Sequence, residues 1–143
     1  MSSTFKTDLQ LGEEAELRFI ELVKHKFQHI TKIPGRFKWF DLIGIKEDGS
    51  TVTFEVKTDV MAKQTGNIAI ETSSNSEASG VIATQADYWV VEIPDVGFWI
   101  VKTKTLIDNL LENASNYRSV AAGDYARCIL MPKAEFKKLF TKL

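Results

Sequence analysis

The chain has 143 residues, 44% hydrophobic and 26% charged, with a formal net charge of −1. That length and balance describe one soluble globular domain, residues 1–143, and exclude a protein that coats nucleic acid through bulk positive charge. The single cysteine, Cys128, excludes an internal disulfide, no apolar run reaches membrane-spanning length, and Met1 to Asp8 lack a signal-peptide core, so a cytoplasmic setting is expected.

A first helix is expected over about Leu11 to Phe27. Leu17, Ile20, Val23, Lys24 and Phe27 follow helical spacing, and Glu13, Glu14 and Glu16 load the first turn, where the helix dipole favours acids. Ile30 to Ile33 reads as a short strand ended by Pro34-Gly35, and a hairpin spans residues 38 to 57. Asn67 to Thr72 alternates like another strand. Thr72 to Gly80 is small and polar, the composition of a mobile loop that substrate could order, and a helical turn over Val81 to Ala86 follows it. Asp87 to Ile93 and Gly97 to Val101 are strands rich in β-branched and aromatic residues. Thr103 to Asn113 is an amphipathic helix with Leu106, Leu110 and Leu111 inward. Ala126 to Met131 is the last strand and packs Cys128. Pro132 then opens a terminal helix that turns Phe136, Leu139 and Phe140 inward. With no repeat or linker, the pattern predicts one α/β domain with a mixed central sheet flanked by helices.

The hairpin carries the chemistry. Trp39, Asp41 and Ile43 alternate with Phe40, Leu42 and Gly44 on the first strand, and Thr53, Glu55 and Lys57 with Val52, Phe54 and Val56 on the second. A three-residue loop, Glu47-Asp48-Gly49, pairs Lys46 with Ser50, Ile43 with Thr53 and Asp41 with Glu55. Asp41, Glu55 and Lys57 then share one face. A two-residue Asp48-Gly49 turn would instead set Asp41 opposite Val56 and part the carboxylates. The longer loop is preferred because it keeps Phe40, Leu42, Phe54 and Val56 on one apolar face. Two carboxylates and an ammonium on an apolar sheet are costly unless something uses them, such as a divalent metal.

These residues resemble the PD-(D/E)xK nuclease superfamily, which includes restriction enzymes, Holliday-junction resolvases and small phage or repair nucleases. The resemblance rests on Asp41, on Glu55-Val56-Lys57 and on the upstream helix, where Glu16 matches the glutamate many members carry. Phe40 stands where some members have proline. The resemblance covers about the first half of the chain and implies a restriction-endonuclease-like core acting as a DNA endonuclease. Asp41 and Glu55 would bind Mg²⁺, with Mn²⁺ as a substitute, together with the carbonyl of Val56, since hard cations take oxygen ligands. Lys57 would orient water or stabilise developing charge. Gln64 lies about where some members place a glutamine that touches the site, and Glu71 is an accessory acid.

Each of these has a plainer reading. Asp41, Glu55 and Lys57 also fit a half-exposed sheet face with a cross-strand salt bridge, Glu16 a helix-dipole acid, and Gln64 and Glu71 ordinary loop and strand positions. Lys32, Arg36 and Lys38 are candidate DNA contacts, or a solvated basic face, as are Lys24, Lys26 and the C-terminal lysines. Ser79, Thr84 and Asp87 fit turn and cap roles better than substrate contact. His25 and His29, one turn apart, lack the partners of a zinc site. Trp39, Trp89 and Trp99 read as core. The expected activity is structure-directed or weakly sequence-specific cleavage by a small enzyme of phage or mobile-element type. The alternative is a non-catalytic nucleic-acid-binding or assembly protein that keeps the fold. Cutting both strands of a duplex would call for two copies, most simply a homodimer.

Overall fold

The computed structural model describes residues 7–34, 39–74, 77–122 and 125–143. Thr7 begins the first helix, α1 (Asp8–Val23), with a capping box. Its hydroxyl accepts the Gln10 N–H at 3.1 Å, and the Gln10 side chain accepts the Thr7 N–H at 2.9 Å. The helix therefore starts three residues before the expected Leu11, and it ends at Val23, short of Phe27. A turn of 3-10 helix, Lys24–Lys26, follows. Its inward stripe also differs from the expected one. Ala15, Phe19 and Val23 are buried, whereas Leu17 is 58% exposed.

Strands β1 (His29–Lys32), β2 (Leu42–Ile45) and β3 (Thr51–Thr58) come next. The β2–β3 hairpin has the longer loop. Lys46 N–H bonds the Ser50 carbonyl at 2.8 Å, Gly49 takes φ 85°, and Ile43 faces Thr53. Asp48 locks the loop by accepting both the N–H and the hydroxyl of Ser50.

The rest of the chain adds α2 (Ala62–Thr65), β4 (Asn67–Ser74), β5 (Glu77–Ala78), α3 (Gly80–Ala83), β6 (Tyr88–Ile93) and β7 (Gly97–Lys102). After them come α4 (Thr103–Glu112), β8 (Arg118–Ala122), β9 (Ala126–Pro132), α5 (Lys133–Leu139) and β10 (Thr141–Lys142). A six-stranded mixed sheet runs β1-β2-β3-β6-β7-β10, and a four-stranded antiparallel sheet runs β5-β4-β9-β8. Only β3 and β6 pair in parallel among the six.

Alternation along β3 and β6 divides the interior. Val52, Phe54, Val56 and Val90 face α1, where Phe19 meets Phe54 edge-on at 5.2 Å. Trp89, Val91 and Ile93 face the second sheet and the remaining helices, against Ile68, Ile70, Leu106, Met131 and Phe136. Arg18 ties α1 to the central sheet through a bidentate pair with buried Glu92, at 2.6 and 2.7 Å.

Several expectations are corrected here. Thr72 to Gly80 is not a loop throughout, since β4 continues to Ser74 and pairs with β5. The strand at residues 126–132 is not the last, and β8 and β10 have no counterpart in the expected elements. Leu111 is 70% exposed rather than inward. Trp39 is only half-buried and lies outside the strands, while Trp89 and Trp99 are core as expected.

Gly80 marks a close approach between α3 and β4. It has φ 53°, and a Cβ there would run into the carbonyl group of Glu71. Gly80→Ala is expected to cost about 2 kcal/mol or more in denaturant unfolding, because the backbone strain adds to a contact that only main-chain movement can relieve. A loss below about 0.5 kcal/mol would contradict that reading of the contact.

Candidate active site

Asp41 lies just before β2, and two hydrogen bonds fix it. Its N–H donates to the Phe54 carbonyl and its Oδ2 accepts the Val56 N–H, both at 2.9 Å. Peptide groups alternate between the two edges of a strand, so the Val56 carbonyl points to the same edge as that of Phe54, toward Asp41. Glu55 sits between them on β3, 9% exposed and in register with Trp89 of β6. Its carboxyl is near enough to Asp41 to feel that residue's charge. Lys57 Nζ is 3.4 Å from Glu55 Oε2 and 5.7 Å from the centre of the Trp89 ring.

Glu16 reaches the same place from α1. It is 8% exposed, and Lys32 Nζ from β1 stands 3.8 Å from both Glu16 and Glu13. Burial, reinforced by the charge of Asp41, pushes the Glu16 carboxyl up to about 7 against the partial opposition of Lys32. Glu55 is also pushed up to about 7, first by burial and then by Asp41, with Lys57 and a Thr84 hydrogen bond working the other way. Burial alone would lower the Lys57 pKa, but Glu55, Asp41 and Glu71 more than offset it and hold the ammonium charged. The result is a group of acids with Lys32 beside Glu16 and Lys57 beside Glu55, and with like charges forced together where β2 meets β3.

The arrangement fits a divalent cation. Asp41 and Glu55 present hard oxygen donors beside a carbonyl on the same edge, and their mutual repulsion is what a cation relieves. No set of three or more His, Cys, Asp or Glu side chains among the described residues is spaced to enclose a metal. Two carboxylates and main-chain oxygen would be the donors to an ion here, a set that suits one keeping several waters or phosphate oxygens. His25 and His29 are both exposed and outside any such set.

The other expected residues divide. Glu71 on β4 lines a pocket of about 250 Å³ with Lys57, Asp59, Trp89 and Cys128, and its Oε2 accepts the Ser79 hydroxyl at 2.7 Å. Gln64 is exposed on α2 and makes no hydrogen bond to the carboxylates. Lys32 is engaged with Glu13 and Glu16, while Arg36 and Lys38 lie outside the described residues.

One residue of the neighbourhood was read from the sequence only as a turn or cap, and another escaped that reading. Thr84 ends α3 as expected of a cap, but its hydroxyl also lies 3.0 Å from Glu55 Oε1 and 3.1 Å from the Trp39 carbonyl. Asp59, two residues beyond Lys57, accepts the N–H groups of Met61 and Ala69 and so ties β3 to β4 beside the pocket. Spacing gives no signal for either, since their partners lie on other elements.

No protein-family model matches the sequence, and no curated protein is similar to it. Two solved structures resemble the fold. One is a Holliday junction resolvase from Archaeoglobus fulgidus, 12% identical, with a TM-score of 0.52 over 93% of this chain and 92% of that one. The other is a bacterial homing endonuclease, 18% identical, with a TM-score of 0.54 over 73% of this chain and 74% of that one.

Proposed function

We propose that this chain, which has the restriction-endonuclease-like fold of the PD-(D/E)xK nucleases, is a metal-dependent DNA endonuclease. The observation that carries the reading is the convergence of Asp41, Glu55 and Lys57 where β2 meets β3 within that fold. Asp41, Glu55 and the Val56 carbonyl would hold Mg²⁺, with Mn²⁺ as a substitute. Bound there, the ion would neutralise charge and polarise a phosphate oxygen of the scissile phosphodiester.

The chain's own groups do the rest. Lys57, held charged by Glu55, Asp41 and Glu71, stabilises negative charge that builds on the phosphate or orients the attacking water. Thr84 holds one oxygen of Glu55. Glu16, with its pKa near neutrality, can hold or release a proton beside the carboxylate pair. Glu71 contributes to the field around Lys57. Gln64 would take part only through substrate, and Lys32, Arg36 and Lys38 would meet the DNA backbone.

Junction, flap or weakly specific duplex cleavage is the substrate range this reading favours, by a single nuclease domain of phage or mobile-element type. A cytoplasmic setting is part of the same proposal, and no described helix is long and apolar enough to cross a membrane. Paired cuts would require two copies, most simply a two-fold dimer, and light scattering with and without DNA tests that.

Cleavage of branched, single-stranded and linear DNAs in Mg²⁺ or Mn²⁺ tests the activity. Lys57→Ala is expected to bind DNA as well as the wild type but to cleave about a hundredfold slower, as for loss of one charge-stabilising group. If binding and cleavage fall together, Lys57 is an anchor for phosphate and not catalytic. DNA binding with no cleavage on any substrate would leave the non-catalytic reading.

A further inference from the structure

A second polar cleft lies at the other end of β3 and β6. It has a volume of about 360 Å³, and Lys46, Lys102 and Lys104 line it with Thr51, Asp87 and Tyr88. The three lysines come from separate elements. Lys46 precedes the β2–β3 turn, Lys102 ends β7, and Lys104 stands in the first turn of α4. None is within ion-pair distance of a described carboxylate. Asp87 is the one acid among the described residues of the lining, and Thr53 already engages its Oδ2 through both its N–H and its hydroxyl. Three ammonium groups thus face one partly committed carboxylate.

The cleft is distinct from the carboxylate site. Thr51 lies four residues before Glu55, about 13 Å along the strand at a rise of ~3.3 Å per residue. Tyr88 stacks on Phe54 on the α1 side of the sheet, the face opposite to Glu55 and Lys57. The start of α4 adds to the field, because Lys102 supplies no side-chain cap to its first turn.

We propose that this cleft binds phosphate, with the lysines as point charges and the Thr51 and Tyr88 hydroxyls as further donors. The shared chemistry is a tetrahedral phosphate oxyanion, which either a backbone phosphodiester of nucleic acid or a free phosphate would present. As a site outside the carboxylate cleft it does not depend on the nuclease reading.

The test is an amide spectrum of the full ¹⁵N-labelled chain in EDTA, titrated with inorganic phosphate and, separately, with a short single-stranded thymidine oligonucleotide. Saturable shifts are expected at the amides of Lys46, Thr51, Tyr88, Lys102 and Lys104. Inorganic phosphate should leave those of Asp41, Glu55 and Lys57 unmoved. The double substitution K102Q/K104Q should weaken binding at least about fivefold, as for two near-surface charges. Tighter binding of the oligonucleotide, with log K falling in salt by about 0.7 per phosphate engaged, assigns the site to backbone phosphate. Equal or tighter binding of inorganic phosphate assigns it to a free phosphate. The proposal is overturned if neither ligand moves those amides, or if the double variant binds as the wild type does. No step of the test reads cleavage, so its failure and that of the nuclease reading are separable.

Discussion

Asp41→Asn and Glu55→Gln are each expected to lower divalent-dependent cleavage about a thousandfold or more while the fold survives. Loss of a ligand forfeits several kcal/mol of transition-state charge stabilisation, and each 1.36 kcal/mol is about tenfold in rate. Asparagine is the cleaner choice at position 41, because Oδ2 accepts the Val56 N–H and alanine would leave that donor unpaired. Isothermal titration with Mn²⁺ should show the same variants losing metal affinity, which separates loss of a ligand from loss of a general base. Wild-type turnover in either variant would remove these carboxylates from the site.

The second large effect is on stability. Glu16 and Glu55 both rise from an ordinary value of 4.5 to about 7 in the folded chain. A carboxyl whose folded pKa is raised contributes its stability fully below the unfolded value, near 4.5, and loses it as pH climbs through about 7. Metal-free protein should therefore be less stable at pH 8 than at pH 5, by about 3 kcal/mol or more for the two acids together, since burial first and then the charge of Asp41 raise both. Denaturant unfolding in EDTA at the two pH values measures the difference. Glu55→Gln should flatten the slope, and Mg²⁺ at pH 8 should restore stability by binding the folded state. A metal-free chain equally stable at both pH values would mean that these carboxyls are not strained against one another.

Much of the site was legible because it is local. Asp41 and Glu55 are brought together by a hairpin whose register depends on the glycine at position 49 and on apolar alternation in β2 and β3, all within a short stretch of sequence. The same alternation separated Phe54 and Val56 from Glu55 and Lys57, so the face of each side chain followed from sequence spacing. The inward stripe of α1 was read less well. Leu17 carries the stronger hydrophobic signal, but the packing of Phe19 against Phe54 and Phe98 sets the rotation of the helix.

The short and the exposed strands were hidden. Strand β8 is largely exposed and β5 and β10 have two residues each, so main-chain bonding to a neighbour defines them and their side chains carry little pattern. Contacts from distant elements decided the electrostatics in the same way. Thr84 meets Glu55 across 29 residues of chain, and Arg18 meets Glu92 across 74. Sequence alone determined the hairpin, its loop and the common face of Glu55 and Lys57, because strand alternation and turn geometry act over neighbours. Only the tertiary structure decided which of those charges are buried and what opposes them. Burial and long-range pairing depend on where separate elements pack, and no local spacing encodes that.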